Sequence, residues 1–193
     1  MKESSPALEM FKKSTDDIIN NLSKLEQKTD LSRIREFVVL LNKSKSSSKI
    51  FIYGAGRSGL IARCFAQRLM HLGFKVYVIG ETLNPACERS DLVVIVSGSG
   101  ETPSCVAIGK KAKELGAKLI AITSHPESTL AKYADIVIPI KAKTKLVEQK
   151  SYAPFSSLFD VTTLVILDSI IAELMALEGL DEEVIKRHHA TLE

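Results

Sequence analysis

Leu92-Val93-Val94-Ile95-Val96-Ser97-Gly98-Ser99-Gly100-Glu101-Thr102 is the stretch that decides the fold. Five apolar, mostly β-branched residues run without alternation, as in a parallel strand covered on both faces. They break abruptly into hydroxyls and glycines, and a helical pattern follows over 102–115. The same rhythm surrounds this stretch. Ile50–Tyr53, Val76–Ile79, Leu119–Ile122 and Ile136–Ile138 read as further buried strands. Helical patterns at 58–72, 102–115 and 128–133 fall between them. A β-α-β series of this kind predicts an α/β fold with a five-stranded parallel sheet sandwiched by helices and joined by right-handed crossovers.

Outside the sheet region the pattern is helical. Leu8, Phe11, Ile18, Ile19, Leu22 and Leu25 recur at three- and four-residue spacings over about 7–24. Asp30 is placed to N-cap a second helix carrying Leu31, Ile34, Phe37, Val38 and Leu41. A long C-terminal helix, about 156–177, is apolar around most of its circumference and is expected in the core or at a subunit interface. With 193 residues, the chain is expected to form one domain over 1–193, with N-terminal helices over 1–45 and an α/β core over 49–193.

Composition excludes several functions. The chain is 45% hydrophobic and 25% charged, so it can build a core and is not a disordered segment. Its 26 basic and 23 acidic residues are interspersed and leave a net charge of only +3, with no Trp. No basic, aromatic-studded face for nucleic acid results. Cys64, Cys87 and Cys105 form no C-x-x-C pair and read as reduced thiols, Cys64 and Cys105 as small core fillers. The start Met1-Lys2-Glu3-Ser4-Ser5-Pro6 lacks the apolar region of a signal peptide. Asp168 and Glu173 interrupt the longest apolar run, so no membrane span is expected. Cytoplasmic residence is the expectation.

Ligands of open parallel sheets bind where strand carboxyl ends meet helix starts. Two such junctions are equipped here. Gly54-Ala55-Gly56-Arg57-Ser58-Gly59 matches G-x-G-x-x-G, which lets backbone N–H groups approach a phosphate. A dinucleotide site would use an acid near Glu81, but Arg57 and Ser58 suit a compact phosphate monoester better. At the second junction Ser97, Ser99 and Thr102 gather three hydroxyls beside Gly98, Gly100 and Glu101, forming a neutral phosphate cradle at a helix start. The alternative is a tight turn in which Ser99 or Thr102 merely caps the helix.

Together these loops resemble the sugar isomerase (SIS) domain, and more narrowly the 6-phospho-3-hexuloisomerase family. Gln67-Arg68-Leu69-Met70-His71-Leu72-Gly73-Phe74, Gly80-Glu81-Thr82, the 97–102 loop, Ala121-Ile122-Thr123-Ser124, Pro126-Glu127-Ser128 and His189-Ala190-Thr191-Leu192-Glu193 all fit that pattern. The similarity runs from about residue 49 onward; the N-terminal helices match only in kind. The resemblance implies isomerisation of 3-hexulose 6-phosphate to fructose 6-phosphate through an enediol, without cofactor or metal, in a homo-oligomer, by family a tetramer. It implies phosphate contacts from Ser97, Ser99 and Thr102, with Ser58 touching substrate and Gly56 and Arg57 as further candidates. The family's base is a Glu in Pro-Met-Gly-x-x-Phe-Glu. This chain reads Pro154-Phe155-Ser156-Ser157-Leu158-Phe159-Asp160, so Asp160 stands at the base position, one methylene short. Ser157 and Asp160 also have the spacing of an N-cap and its N3 acid, and catalytic base and capping acid stay open. His189 matches the family's C-terminal His, implied in ring opening or proton shuttling from a neighbouring subunit; His188 stands where the family has Arg. His71 reads as a packed or capping residue, and four scattered histidines make no metal site. A non-catalytic SIS domain that senses a sugar phosphate is the rival reading.

Overall fold

The computed structural model describes residues 6–142 and 151–188. In chain order the elements are α1 (Pro6–Leu22), α2 (Leu25–Lys28), α3 (Leu31–Ser44), β1 (Lys49–Gly54), α4 (Arg57–His71), β2 (Lys75–Val78), β3 (Leu92–Val96), α5 (Pro103–Glu114), β4 (Lys118–Thr123), α6 (Thr129–Tyr133), β5 (Ile136–Pro139), α7 (Ser157–Glu178) and α8 (Glu182–Arg187). The five strands form one parallel sheet in the order β2-β1-β3-β4-β5. This is the predicted α/β architecture, and every expected strand and helix lies within two residues of its predicted place, the first helix being split at residues 23–24.

Strand alternation sorts the core into two layers. Ile50, Ile52, Val94, Ile120 and Ile122 face α3, α4 and α7, where they meet Phe37, Leu41, Phe65, Leu69, Ile166 and Ile170. Phe51, Val93, Ile95, Leu119 and Ala121 point the other way, toward Cys105 and Ala112 of α5 and Leu130 of α6. All five residues of β3 are buried, as a central parallel strand requires. Side-chain caps start some of the helices, at Asp30 as expected. Asp30 accepts from the N–H groups of Ser32 and Arg33 at the head of α3, and Ser128 accepts from Ala131 at the head of α6.

The amino ends of the strands are tied by carboxylates. Asp91, 1% exposed, accepts from the N–H groups of Lys49 at 2.8 Å and Glu88 at 2.7 Å. Asp135 accepts from Leu119 N–H at 2.7 Å and from Lys113. Burial would raise the Asp135 carboxyl, but the Lys113 ammonium and the Leu119 N–H outweigh it and hold the group below the usual carboxylate range.

One expectation is narrowed and another changes. Helix α7 is covered within the chain by α1, α3 and α4, so its apolar circumference is spent on the core, and of its large apolar side chains only Leu177 stays mostly exposed. A group of uncovered apolar residues lies on α1, where Leu8, Met10, Phe11 and Ile19 are all more than half exposed. Cys64 is exposed and no core filler, because the buried stripe of α4 runs through Ala62, Phe65, Ala66 and Leu69 and misses it. Cys105 is buried as expected, and that burial pushes its thiol up, which keeps it protonated and unreactive. Among the described residues no helix is long and apolar enough to cross a membrane.

One glycine locks the carboxyl end of the sheet. Gly100 has φ +65°, and a Cβ there would lie 2.0 Å from Ser128 Oγ and 2.4 Å from Ser128 Cβ. Gly100→Ala therefore strains the backbone and pushes Ser128 off its capping bond. We expect a loss of more than about 1 kcal/mol, read as a lower urea midpoint at unchanged m-value.

Candidate functional site

β1 and β3 are neighbours in a register that sets Gly54 opposite Val96. Both strands therefore end at the same level, and the loops leaving them lie side by side. They line one cleft of about 280 Å³ formed by Ala55, Gly56, Arg57 and Ser58 on one side and Ser97, Gly98, Ser99 and Thr102 beside them; Phe155, Ser156, Phe159 and Asp160 make the facing wall.

The first loop is shaped by close approach. A Cβ on Gly59 would meet the Gly54 carbonyl oxygen at 2.5 Å, so α4 can start against β1 only because both residues are glycine. Gly56, at φ +57°, makes the turn.

The second loop carries the hydroxyls. Ser97 is 3% exposed, and its Oγ lies 3.4 Å from Thr102 Oγ1. The Gly100 N–H donates to Ser97 Oγ at 3.2 Å, and the Glu101 N–H donates to Ser99 Oγ at 3.2 Å. Both serine oxygens thus accept from the backbone; the Ser99 proton is left as a donor to an anion, while the Ser97 hydroxyl donates toward Thr102 Oγ1 at 3.4 Å. Thr102 occupies the N-cap of α5, yet its side chain makes no capping bond, and Pro103 takes the first helical position. The simple capping role for Ser99 or Thr102 is not what the structure shows. The loop is anchored from β4, where Ser124 N–H donates to the Gly98 carbonyl at 3.1 Å.

Two expected contacts turn elsewhere. Gly100 packs against Ser128 and Thr123 and does not line the cleft. Glu101 is exposed, and its Oε1 accepts from Thr129 N–H at 2.7 Å, closing the start of α6. That bond, with the Thr129 hydroxyl, holds the Glu101 carboxyl below the usual range. Glu81, the acid a dinucleotide reading would use, is paired with Arg63 at 2.5 Å on the surface.

Asp160 is brought to the cleft by α7. Phe159 packs its ring under Gly98, where a Cβ would lie 3.3 Å from the Phe159 Cδ1 atom. The next residue then faces the two loops. The Asp160 side chain is only 3% exposed, and its Oδ2 accepts from Arg57 Nε at 2.6 Å, while Arg57 itself is 66% exposed. The Ser157–Asp160 capping pair is not formed, although Asp160 does lie in the first turn of α7. Ser157 is the first helical residue, Ser156 occupies the cap position with no side-chain capping bond, and the Asp160 carboxylate is engaged by Arg57, 103 residues away in sequence.

Sequence reading missed the rest of that wall. Phe155 and Ser156 line the cleft, and Ser156 is the one non-glycine residue with positive φ, 62°, among the described residues. The signal was present: Ser156 stands where the resembled pattern has Gly. His189 lies outside the described residues. His71 is buried in the last turn of α4, and His125 sits half-buried in the loop after β4. Among the described residues no group of three or more His, Cys, Asp or Glu could hold a metal ion.

Comparison with known proteins agrees with this geometry. The 3-hexulose-6-phosphate isomerase of Bacillus subtilis is 41% identical over 184 residues, covering 94% of this chain and 100% of that protein. The protein of the same name from Methanocaldococcus jannaschii is 45% identical over 150 residues, 77% of this chain and 80% of its own. A crystal structure from Methanococcus jannaschii, from which a 3-hexulose-6-phosphate isomerase function was inferred, matches with TM-score 0.80 and 38% identity over 96% of this chain and 99% of that one. An uncharacterized helix-turn-helix transcriptional regulator of Thermotoga maritima is 30% identical over 86% of this chain but only 57% of its own length. Residues 44–172, which hold the sheet and both cleft loops, match the SIS domain, and the chain belongs to that family.

Proposed function

We propose that the chain isomerises 3-hexulose 6-phosphate to fructose 6-phosphate. The observation that carries this reading is a buried carboxylate, Asp160, facing a hydroxyl-rich anion cradle across a single cleft. Ser97, Ser99, Thr102 and Ser58 hold the phosphate through hydroxyl protons, with Gly56, Gly98 and the start of α5 adding backbone polarity and Arg57 adding charge at the rim. The sugar then extends toward the α7 wall.

The chemistry is a proton transfer between adjacent carbons. The substrate has its carbonyl at C3, so the C2 proton must leave and one must return at C3, while a hydroxyl proton passes from O2 to O3. Asp160 takes the C2 proton, a cis-enediol forms, and the same carboxyl group returns a proton to C3. A single base on one face suffices because the two carbons are neighbours. Protein groups supply every step, and His189 is the candidate for the hydroxyl shuttle.

The non-catalytic sensor is not favoured. The relatives that this chain matches over 80–100% of their own length include several named isomerases, whereas the regulator is matched over 57% of its own. Cytoplasmic residence belongs to the proposal and is supported by three free thiols, Cys64, Cys87 and Cys105. So does a homo-oligomer, by family a tetramer, with the exposed apolar side chains of α1 as the support within this chain.

Purified protein incubated with 3-hexulose 6-phosphate should yield fructose 6-phosphate. Asp160→Asn keeps the shape and should lower kcat by about 10²–10⁴-fold while sparing phosphate affinity. Asp160→Glu should match or exceed the parent rate if reach limits the parent; a parent rate in both variants would place the base elsewhere.

Ser99→Ala removes one hydroxyl donor to a charged oxygen. Calorimetry with fructose 6-phosphate should show binding weakened by about 1.5–3 kcal/mol. Unchanged affinity would move the phosphate off this loop.

Sedimentation at micromolar concentration should show a species heavier than the 21.2 kDa chain. A stable monomer would remove the oligomer and any contribution of His189 to a neighbouring site.

A further inference from the structure

One stripe of α1 reaches the cleft wall from behind. Lys13, Asp17 and Asn21 follow at four-residue spacing and so share a face. Asp17 Oδ2 accepts from Ser151 Oγ, from Tyr152 N–H at 2.9 Å and from Ala153 N–H at 3.4 Å. The Lys13 ammonium lies 5.4 Å from the centre of the Tyr152 ring, and Asn21 Nδ2 donates to the buried Thr162 Oγ1 at 2.8 Å. These contacts bracket residues 155–160, the wall that carries Phe155, Ser156, Phe159 and Asp160.

That wall contains a conformation that has to be held. Ser156 sits in the left-handed region at φ 62° without being glycine. For a residue with a Cβ such a conformation is strained, and it persists only where its surroundings over-determine it. On the C-terminal side, Ser157 N–H donates to the Pro154 carbonyl at 2.9 Å and Asp160 N–H to the Ser156 carbonyl at 3.0 Å. On the N-terminal side the strap is gathered by Asp17. A carboxylate suits that task because bonds to an ionised acceptor are roughly twice as strong as neutral ones.

We propose that Asp17 is a positioning residue for the isomerisation. By collecting three donors from residues 151–153 it fixes the strap that carries Phe155 and Ser156, and through it the place where the Asp160 carboxylate meets the substrate. The phosphate loops belong to the other wall, on β1 and β3, so loss of Asp17 acts on the chemistry and not on anion binding. This inference rests on the isomerase reading, and the test keeps the two apart.

Asp17→Ala and Asp17→Asn are compared with the parent well below their unfolding temperatures. Turnover of 3-hexulose 6-phosphate, calorimetric binding of fructose 6-phosphate and amide hydrogen exchange are measured on each. Asp17→Ala should lower kcat by about ten- to a hundredfold, the scale expected for an ångström of misplacement. Its affinity for fructose 6-phosphate should be unchanged, and exchange should quicken at residues 152–160 but not at 97–106. Asp17→Asn keeps an acceptor oxygen and should recover part of the lost kcat. Parent kcat in Asp17→Ala overturns the proposal, and so does exchange that quickens equally throughout the chain, which marks a merely structural residue. Should Asp17→Ala fail to fold, Ser151→Ala removes one of the three donors; parent values of both kcat and exchange in that variant overturn the proposal. Should the parent not turn over the hexulose phosphate, the isomerase reading fails by itself. The exchange measurement then still decides whether Asp17 orders the strap: quickening confined to 152–160 upholds it, and no change overturns it.

Discussion

β1 and β3 can deliver two loops to one point only because nothing separates them and their ends are level. The register Gly54 against Val96 fixes that level. A one-residue slip would move the hydroxyl loop by about 3.3 Å along the strand and turn every side chain of β3 to the other face. The buried Ile and Val side chains on both faces forbid the slip. Burial of an apolar sheet thus sets the geometry of a polar site that it borders only through Val96. Glycine does the rest, at Gly54 and Gly59 for the approach of α4, and at Gly98 for the approach of Phe159 from α7.

The sheet was legible because its signal is local. Uninterrupted runs such as Leu92–Val96 have few other folded outcomes, and the chemistry of a strand end is written in the next six residues. Ser97, Ser99, Thr102 and Ser58 were found together for this reason, and the cleft does bring them together. Where a side chain turns at a loop end is a different question. Glu101 read as part of the cradle because it stands inside the motif, but the nearest unsatisfied donor was Thr129 N–H at the head of α6, 28 residues on. Asp17 carried no sequence signal, since its partners are 134–136 residues away and two of the three are backbone groups.

Ser156 shows how a departure from a pattern acquires physical meaning. The resembled sequences have Gly at this position, and the backbone here is left-handed at φ 62°. For an L-residue with a Cβ that conformation costs roughly 1–2 kcal/mol. Ser156 keeps this conformation despite its Cβ, so the wall is held by its surroundings and not by local preference. The same first turn carries the second departure, Asp160 in place of Glu. A strap that is anchored from α1 and packed through Phe159 onto Gly98 leaves little freedom to make up for a shorter side chain by moving the helix.

Arg57 completes the account of how a carboxylate can sit in this wall. A buried carboxylate without a partner would be costly, and Asp160 is only 3% exposed. The Arg57 guanidinium satisfies it from the solvent side at 2.6 Å while staying 66% exposed itself. With one partner still in water, the pair gives up little hydration for Arg57, while the buried Asp160 carboxylate relies on it for charge compensation. Its effect is local: it keeps an acidic oxygen in the cleft wall and a positive charge on the cleft rim, one from the first turn of α7 and the other from the start of α4. A sugar phosphate needs both, a cation near its phosphate and an acceptor near its carbon-bound proton. The ion pair holds the two in place before any substrate arrives.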